Sequence, residues 1–227
     1  MDRTSYRDNG GYIRVRVLFL PDLFTTPEMY KEFADKLEAD VHRYRADTLK
    51  NRVTEVHGVL YGGKYDVVVG FGAGAAIALK AVQKEKLILV NPILEGSITK
   101  LSRWFDKAGM DAMRLTNVSS KLLLKFFVRK WSHIRPELVK EFRKCDLNKT
   151  LHYIDELKAF KEEKIHADNL VGVLLSDEDR ICSKEVSESF AKKHGCTATE
   201  KMSGGHLIMF DNSYDLIREL SEVMKRC

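Results

Sequence analysis

The chain has 227 residues and a mass of 26.0 kDa, with 44% hydrophobic and 31% charged residues, enough for one single-core α/β domain with an insertion and short for two domains. It contains no run of about 18 apolar residues, and its polar opening, MDRTSYRDNGGYIRVR, lacks the apolar stretch of a signal peptide, so a soluble, cytoplasmic protein is expected and an integral membrane protein is not. The net charge of +5 is unevenly placed, because residues 98–150 hold 13 Lys/Arg against 5 Asp/Glu. Cys145, Cys182, Cys196 and Cys227 show no CxxC pair and no metal-ligand spacing. Free thiols are expected, with neither a metal nor a cofactor.

In chain order, the apolar and β-branched run at 12–20 reads as a buried strand closed by Pro21-Asp22. Thr26 is placed as an N-cap, Pro27 as a first helical residue, and Met29, Phe33 and Leu37 recur at helical spacing. A short strand at 41–46, a helix at 48–62, a strand at 66–70, a helix at 73–83 and an apolar strand at 86–92 follow. Residues 97–165 carry amphipathic segments and no convincing strand. Strand signals resume at 169–176, then a helix at 183–194, a strand at 197–202 and a final helix from about 212 to 225. Alternating strands and helices imply a mostly parallel sheet of about six strands with helices on both faces. The core is then 1–96 with 166–227, interrupted by a helical insertion at 97–165.

The segment VVVGFGAGAAIALK, residues 67–80, joins an apolar strand to an alanine-rich helix through Gly70, Gly72 and Gly74. A dinucleotide loop has this layout, and so does the nucleophile elbow G-x-S-x-G. The dinucleotide reading needs a carboxylate at the end of the next strand, where Val90-Asn91-Pro92 offers none. The elbow reading needs an acid after a later strand and a histidine after the last one. Asp179 and His206 fall at those two points.

On these residues the chain resembles the α/β-hydrolase superfamily, in the branch of small esterases with a cap. VLFLPDLFTTPEMY resembles the first strand and oxyanion loop, with Pro21-Asp22 in place of the usual His-Gly. VVVGFGAGAAIAL resembles the elbow, with Gly72 where the serine sits; LLSDEDRI gives the acid Asp179 and SGGHLIMF the histidine, His206. The resemblance implies an α/β-hydrolase fold, an oxyanion hole from the backbone amides of Leu23 and Ala73, and a helical cap at 97–165.

Gly72 has no side chain with which to form an acyl-enzyme. Three readings follow: a pseudo-hydrolase that binds a small apolar or anionic ligand under the cap, or a partner; a non-covalent enzyme with His206, oriented by Asp179, as general base; and a serine ester hydrolase whose nucleophile has been replaced. Asp22, a carboxylate beside the oxyanion loop, opposes a developing negative charge and favours the non-hydrolytic readings. Cys182 is read as packing. Within the insertion, Lys121, Lys125 and Arg129 at i, i+4 and i+8 predict a basic helix face open to an anionic partner, with Leu123, Leu124, Phe127 and Trp131 on the apolar face. Nothing there resembles a base-reading motif, and no specific nucleic acid is expected.

Overall fold

The computed structural model describes residues 7–8, 11–12, 15–98, 116–161, 169–196 and 198–226. Six strands form the sheet: β1 (Val17–Leu20), β2 (Ala39–Val41), β3 (Val67–Phe71), β4 (Lys86–Val90), β5 (Leu170–Ser176) and β6 (Ala198–Met202). Their order is β2-β1-β3-β4-β5-β6, and every pairing is parallel. The apolar runs of β1, β3, β4 and β5 are buried almost throughout, as strands covered on both faces require.

The helices following these strands are α1 (Pro27–Lys36), α2 (Leu49–Tyr61), α3 (Ala73–Ala81), α7 (Lys184–Lys193) and α9 (Ser213–Met224). Between β4 and β5 lie α4 (Asn117–Leu124), α5 (Pro136–Lys144) and α6 (Leu147–Lys158), and before α9 the short α8 (Ile208–Asp211). Pro27 opens α1 as expected, but the side chain of Thr26 makes no capping bond. Instead α2 and α7 are capped by Thr48 and Ser183, which accept from the amides of Asn51 and Val186.

The chain passes from β1 to β2 on one side and returns to β3 on the other. The ends of β1 and β3 therefore flank the point where strand order reverses, the usual ligand crevice of an open α/β sheet. The loop that begins at Pro21-Asp22 and the glycine turn leave the sheet at these two ends. Helix α3 packs against β3 with every residue but Lys80 buried. Such close contact demands small residues: a Cβ on Gly74 would stand 2.1 Å from the Leu20 carbonyl oxygen, and one on Gly70 would stand 2.6 Å from the Cα of Ala75.

Several boundaries differ from the sequence reading. The first sheet strand begins at Val17; Gly11–Tyr12 instead pairs with Arg7–Asp8 in a separate antiparallel ladder. The second strand ends at Val41, and α8 carries no period long enough to announce it. In the expected insertion 97–165 the described residues contain helices and no strand, while 99–115 and 162–165 lie outside the described residues.

The basic face expected across Lys121, Lys125 and Arg129 is not a continuous helix face, because α4 ends at Leu124. The Lys125 ammonium turns back onto the carbonyls of Val128 and Arg129, and Arg129 pairs with Glu178 at 2.8 Å and donates to the Ser203 hydroxyl. Leu123, Leu124 and Phe127 are buried as expected, whereas Trp131 is half exposed.

Candidate active site

The site is built from four loops at the carboxyl ends of β1, β3, β5 and β6. Gly72, at the start of α3, has φ 49° and ψ −111°. This is strained backbone for a residue with a Cβ and easy for glycine. Its amide donates to the Val90 carbonyl at 3.0 Å and its carbonyl accepts from Ile93 at 3.1 Å, so the turn is fixed from the neighbouring strand.

Asp179 and His206, expected as a pair, are one: Asp179 Oδ2 lies 2.8 Å from His206 Nδ1. The other Asp179 oxygen accepts from the amides of Ile181 and Cys182, at 2.8 and 3.1 Å, which orients the carboxylate. His206 is held from behind as well. Asn91, 1% exposed, donates from its amide nitrogen to the His206 carbonyl (2.8 Å), the Gly205 carbonyl (3.2 Å) and Ser176 Oγ (2.8 Å), and its oxygen accepts from the Ser176 amide (2.8 Å). The next amide, Leu207, donates to the Phe127 carbonyl at 2.8 Å.

The expected oxyanion-hole amides, Leu23 and Ala73, do converge, and they converge on Asp22. Each donates to Asp22 Oδ1 at 2.7 Å. Asp22 Oδ2 faces His206 Nε2 at 3.0 Å, and the two side chains are only 2% and 1% exposed. The Asp22 backbone is equally fixed. Its amide donates to the buried Tyr30 hydroxyl at 3.0 Å, and its carbonyl accepts from the Thr25 hydroxyl at 2.6 Å.

The carboxylate thus lies where a serine side chain at position 72 would project. A Cβ built on Gly72 comes within 2.1 to 2.3 Å of the Asp22 Oδ1, Cγ and Oδ2 atoms. A side chain at position 72 and this Asp22 conformation exclude each other. Sequence reasoning noticed Asp22 as a charge beside the loop but did not foresee that its side chain enters the hole. It missed Asn91 as a hub, for which a polar residue closing an apolar strand before proline was the available signal.

His206 is therefore an imidazole between two carboxylates. Burial is the largest single influence and disfavours the charged ring, but Asp179 and Asp22 together outweigh it and raise the pKa well above the ordinary histidine value. Cys182 is buried in contact range of the ring, its sulfur among ligand-type atoms of Asp179 and His206 that lie within 4.8 Å of one another. Burial pushes its thiol up to about 11, so it stays neutral and fits the packing role. Both imidazole nitrogens face carboxylates, Nδ1 that of Asp179 and Nε2 that of Asp22.

Two cavities adjoin Asp22. One, of about 30 Å³, is apolar, lined by Leu23, Phe24, Ile93, Phe127, Ile154 and Leu157 beside His206, and it has room for roughly one or two waters. The other, of about 310 Å³, is bounded by the Asp22 loop, the chain after β2 and helices α5 and α6, and its walls are of mixed polarity.

No family model matches the chain, and no curated protein matches it by sequence. By structure it is similar to the enol-lactonase from Burkholderia xenovorans (TM-score 0.70, 12% identity, covering 96% of this chain and 94% of that one). It is also similar to a thermophilic esterase from Thermogutta terrifontis (0.69, 13%, 93% and 90%) and an esterase from Exiguobacterium antarcticum (0.66, 16%, 93% and 91%). The chain has the α/β-hydrolase fold. Among the described residues no helix is long and apolar enough to cross a membrane.

Proposed function

We propose that this protein is an α/β-hydrolase-like binding protein that performs no acyl transfer at its elbow. The observation that carries the reading is the Asp22 carboxylate, which takes both oxyanion-hole amides and the histidine at once. In acyl transfer those amides stabilise charge that develops on the substrate. Here a permanent negative charge holds them in the resting protein, and an incoming carbonyl oxygen meets both a filled hole and a repelling anion.

The same contacts weigh against the other readings. As an imidazolium with both N–H groups bonded to carboxylates, His206 has no lone pair with which to act as a general base. A serine simply restored at position 72 has no room while Asp22 is in place. The helices between β4 and β5 act in this reading as a cap, since Phe127, Ile154 and Leu157 close the apolar side of the site.

The test is a set of p-nitrophenyl acetate assays. Wild type and Gly72→Ser are expected to show no turnover above the uncatalysed rate, and the single variant to be less stable because its Cβ meets Asp22. The double variant Asp22→Gly/Gly72→Ser frees the hole and supplies the nucleophile, and is expected to gain about 10²-fold or more over the wild-type background. Wild-type hydrolysis that disappears in His206→Ala would overturn the proposal.

A further inference from the structure

The larger cavity, of about 310 Å³, is bounded by the Asp22 loop, the segment that follows β2 and the helices α5 and α6. Its size lies at the lower end of small-molecule sites. Arg52, from α2, lines it. The guanidinium lies over two aromatic rings, its central carbon 4.8 Å from the Tyr44 ring centre and 4.3 Å from that of Tyr153, and its Nε donates to the Ala46 carbonyl at 2.8 Å. Among the described residues no carboxylate lies within ion-pair distance of Arg52. The nearby Glu55 is committed elsewhere, accepting from the amides of Arg45 and Ala46 and lying 3.3 Å from His42.

The hydroxyls of Tyr44 and Tyr153 are buried and have no hydrogen-bond partner among the described residues. Buried polar atoms in native proteins almost always have one, supplied by protein, water or ligand. Burial keeps both phenols protonated: Tyr44 is raised well above the usual value, and Tyr153 is pushed up to about 12 against the pull of Arg52. Most charges around the rim are by contrast matched, and the Asp146 carboxylate caps α6 by accepting from the Lys149 amide at 3.2 Å. Lys149 pairs with Asp47 at 2.7 Å, Lys144 with Glu141 at 3.5 Å, and Arg43 with Glu28. Asp22 is turned away onto His206. What remains is a guanidinium without a carboxylate partner and two phenol hydroxyls without a hydrogen-bond partner, on three residues that line one half-open cleft.

We infer that this cavity is a binding site for a small organic anion, whose carboxylate or phosphate oxygens take the free N–H groups of Arg52 and the Tyr44 and Tyr153 hydroxyls. A planar fork held against two aromatic rings suits bidentate recognition of such a group. The site names a ligand class for the binding reading and shares only the Asp22 loop with the elbow, since neither Gly72 nor His206 lines it.

Benzoate and inorganic phosphate serve as probes, with benzamide as the uncharged counterpart of benzoate, read by calorimetry and by thermal shift on the full chain. Wild type is expected to bind at least one of the two anions with a Kd below about 1 mM and to bind benzamide at least tenfold more weakly. Arg52→Met, which keeps the stem against the rings, is expected to lose at least tenfold in affinity. Tyr153→Phe, which leaves Arg52 in place and is the safer variant for folding, is expected to lose severalfold. Failure of both anions to bind wild type, or undiminished binding by Arg52→Met and Tyr153→Phe, would overturn the inference. Ester hydrolysis by wild type would overturn the closed elbow and leave this site standing.

Discussion

Asp22 divides its two oxygens between different tasks, one taking a pair of backbone amides and the other the far nitrogen of His206. That division makes a titration prediction. With carboxylates on both sides the ring is expected to carry both protons at pH 7, and its ¹⁵N shifts should stay in the imidazolium range well past the usual midpoint. In Asp22→Asn one carboxylate is gone and the midpoint should fall; a neutral ring in wild type at pH 7 contradicts the arrangement. The sign for stability follows. The folded pKa is raised, so the native state binds the proton more tightly, and this contribution is complete below about pH 6.5, the ordinary histidine value, and is lost as pH rises through the folded value. Melting temperature should therefore decline toward alkaline pH more steeply in wild type than in His206→Gln. The sequence marks Asp22 as a misplaced charge, yet where its side chain points depends on the missing Cβ of Gly72, 50 residues away in the chain. Only the fold brings the two together.

At the level of elements, β3, β4 and β5 follow the sequence reading closely, because each buries one nearly continuous apolar run. The glycine turn was readable too, through the order of Asp179 and His206 after it. Elements whose ends are set by tertiary contacts were not. Helix α4 stops at Leu124 so that the chain can bring Phe127 and Arg129 against the histidine loop, and a spacing rule that assumes an unbroken helix carries the basic stripe past that end. Asn91 shows the same limit, since its value lies in joining the ends of β4 and β5 to the loop that bears His206. It does so from a left-handed backbone conformation, φ 45°, just before Pro92, an unusual combination that the bonds of its side chain hold in place. Asn91→Ala removes four buried hydrogen bonds and leaves the carbonyls of Gly205 and His206 without that donor. A loss of about 3 kcal/mol is expected, or roughly 6 to 12 °C in melting temperature for a chain of this length. A loss below about 1 kcal/mol would show that the hub is dispensable.

Across the whole molecule, the helices between β4 and β5 are stitched to the core on two sides. On the side of the larger cavity, Glu156 accepts from the amide of Leu49 at 2.8 Å and Lys149 pairs with Asp47. On the side of His206 the stitch is Asp211, whose side chain is 1% exposed. Its carboxylate accepts from the Arg129 amide at 2.9 and 2.8 Å and from the Gly205 amide at 2.6 Å, and it meets the His133 ring. His133, which shows no partner pattern in the sequence, is thus half of a fastening between the insertion and the histidine loop. The surface pair of Lys149 with Asp47 is exposed and contributes little, whereas the Asp211 carboxylate makes its contacts out of water. Asp211→Ala would leave two backbone donors and a ring nitrogen without their acceptor, at a cost of about 3 kcal/mol. The consequence should be local before it is global: amide exchange at Arg129, Gly205 and Leu207 is expected to accelerate while the amides of β3 and β4 keep their protection. Equal acceleration in both places would mean that insertion and core open only together, and that the fastening has no separate opening of its own.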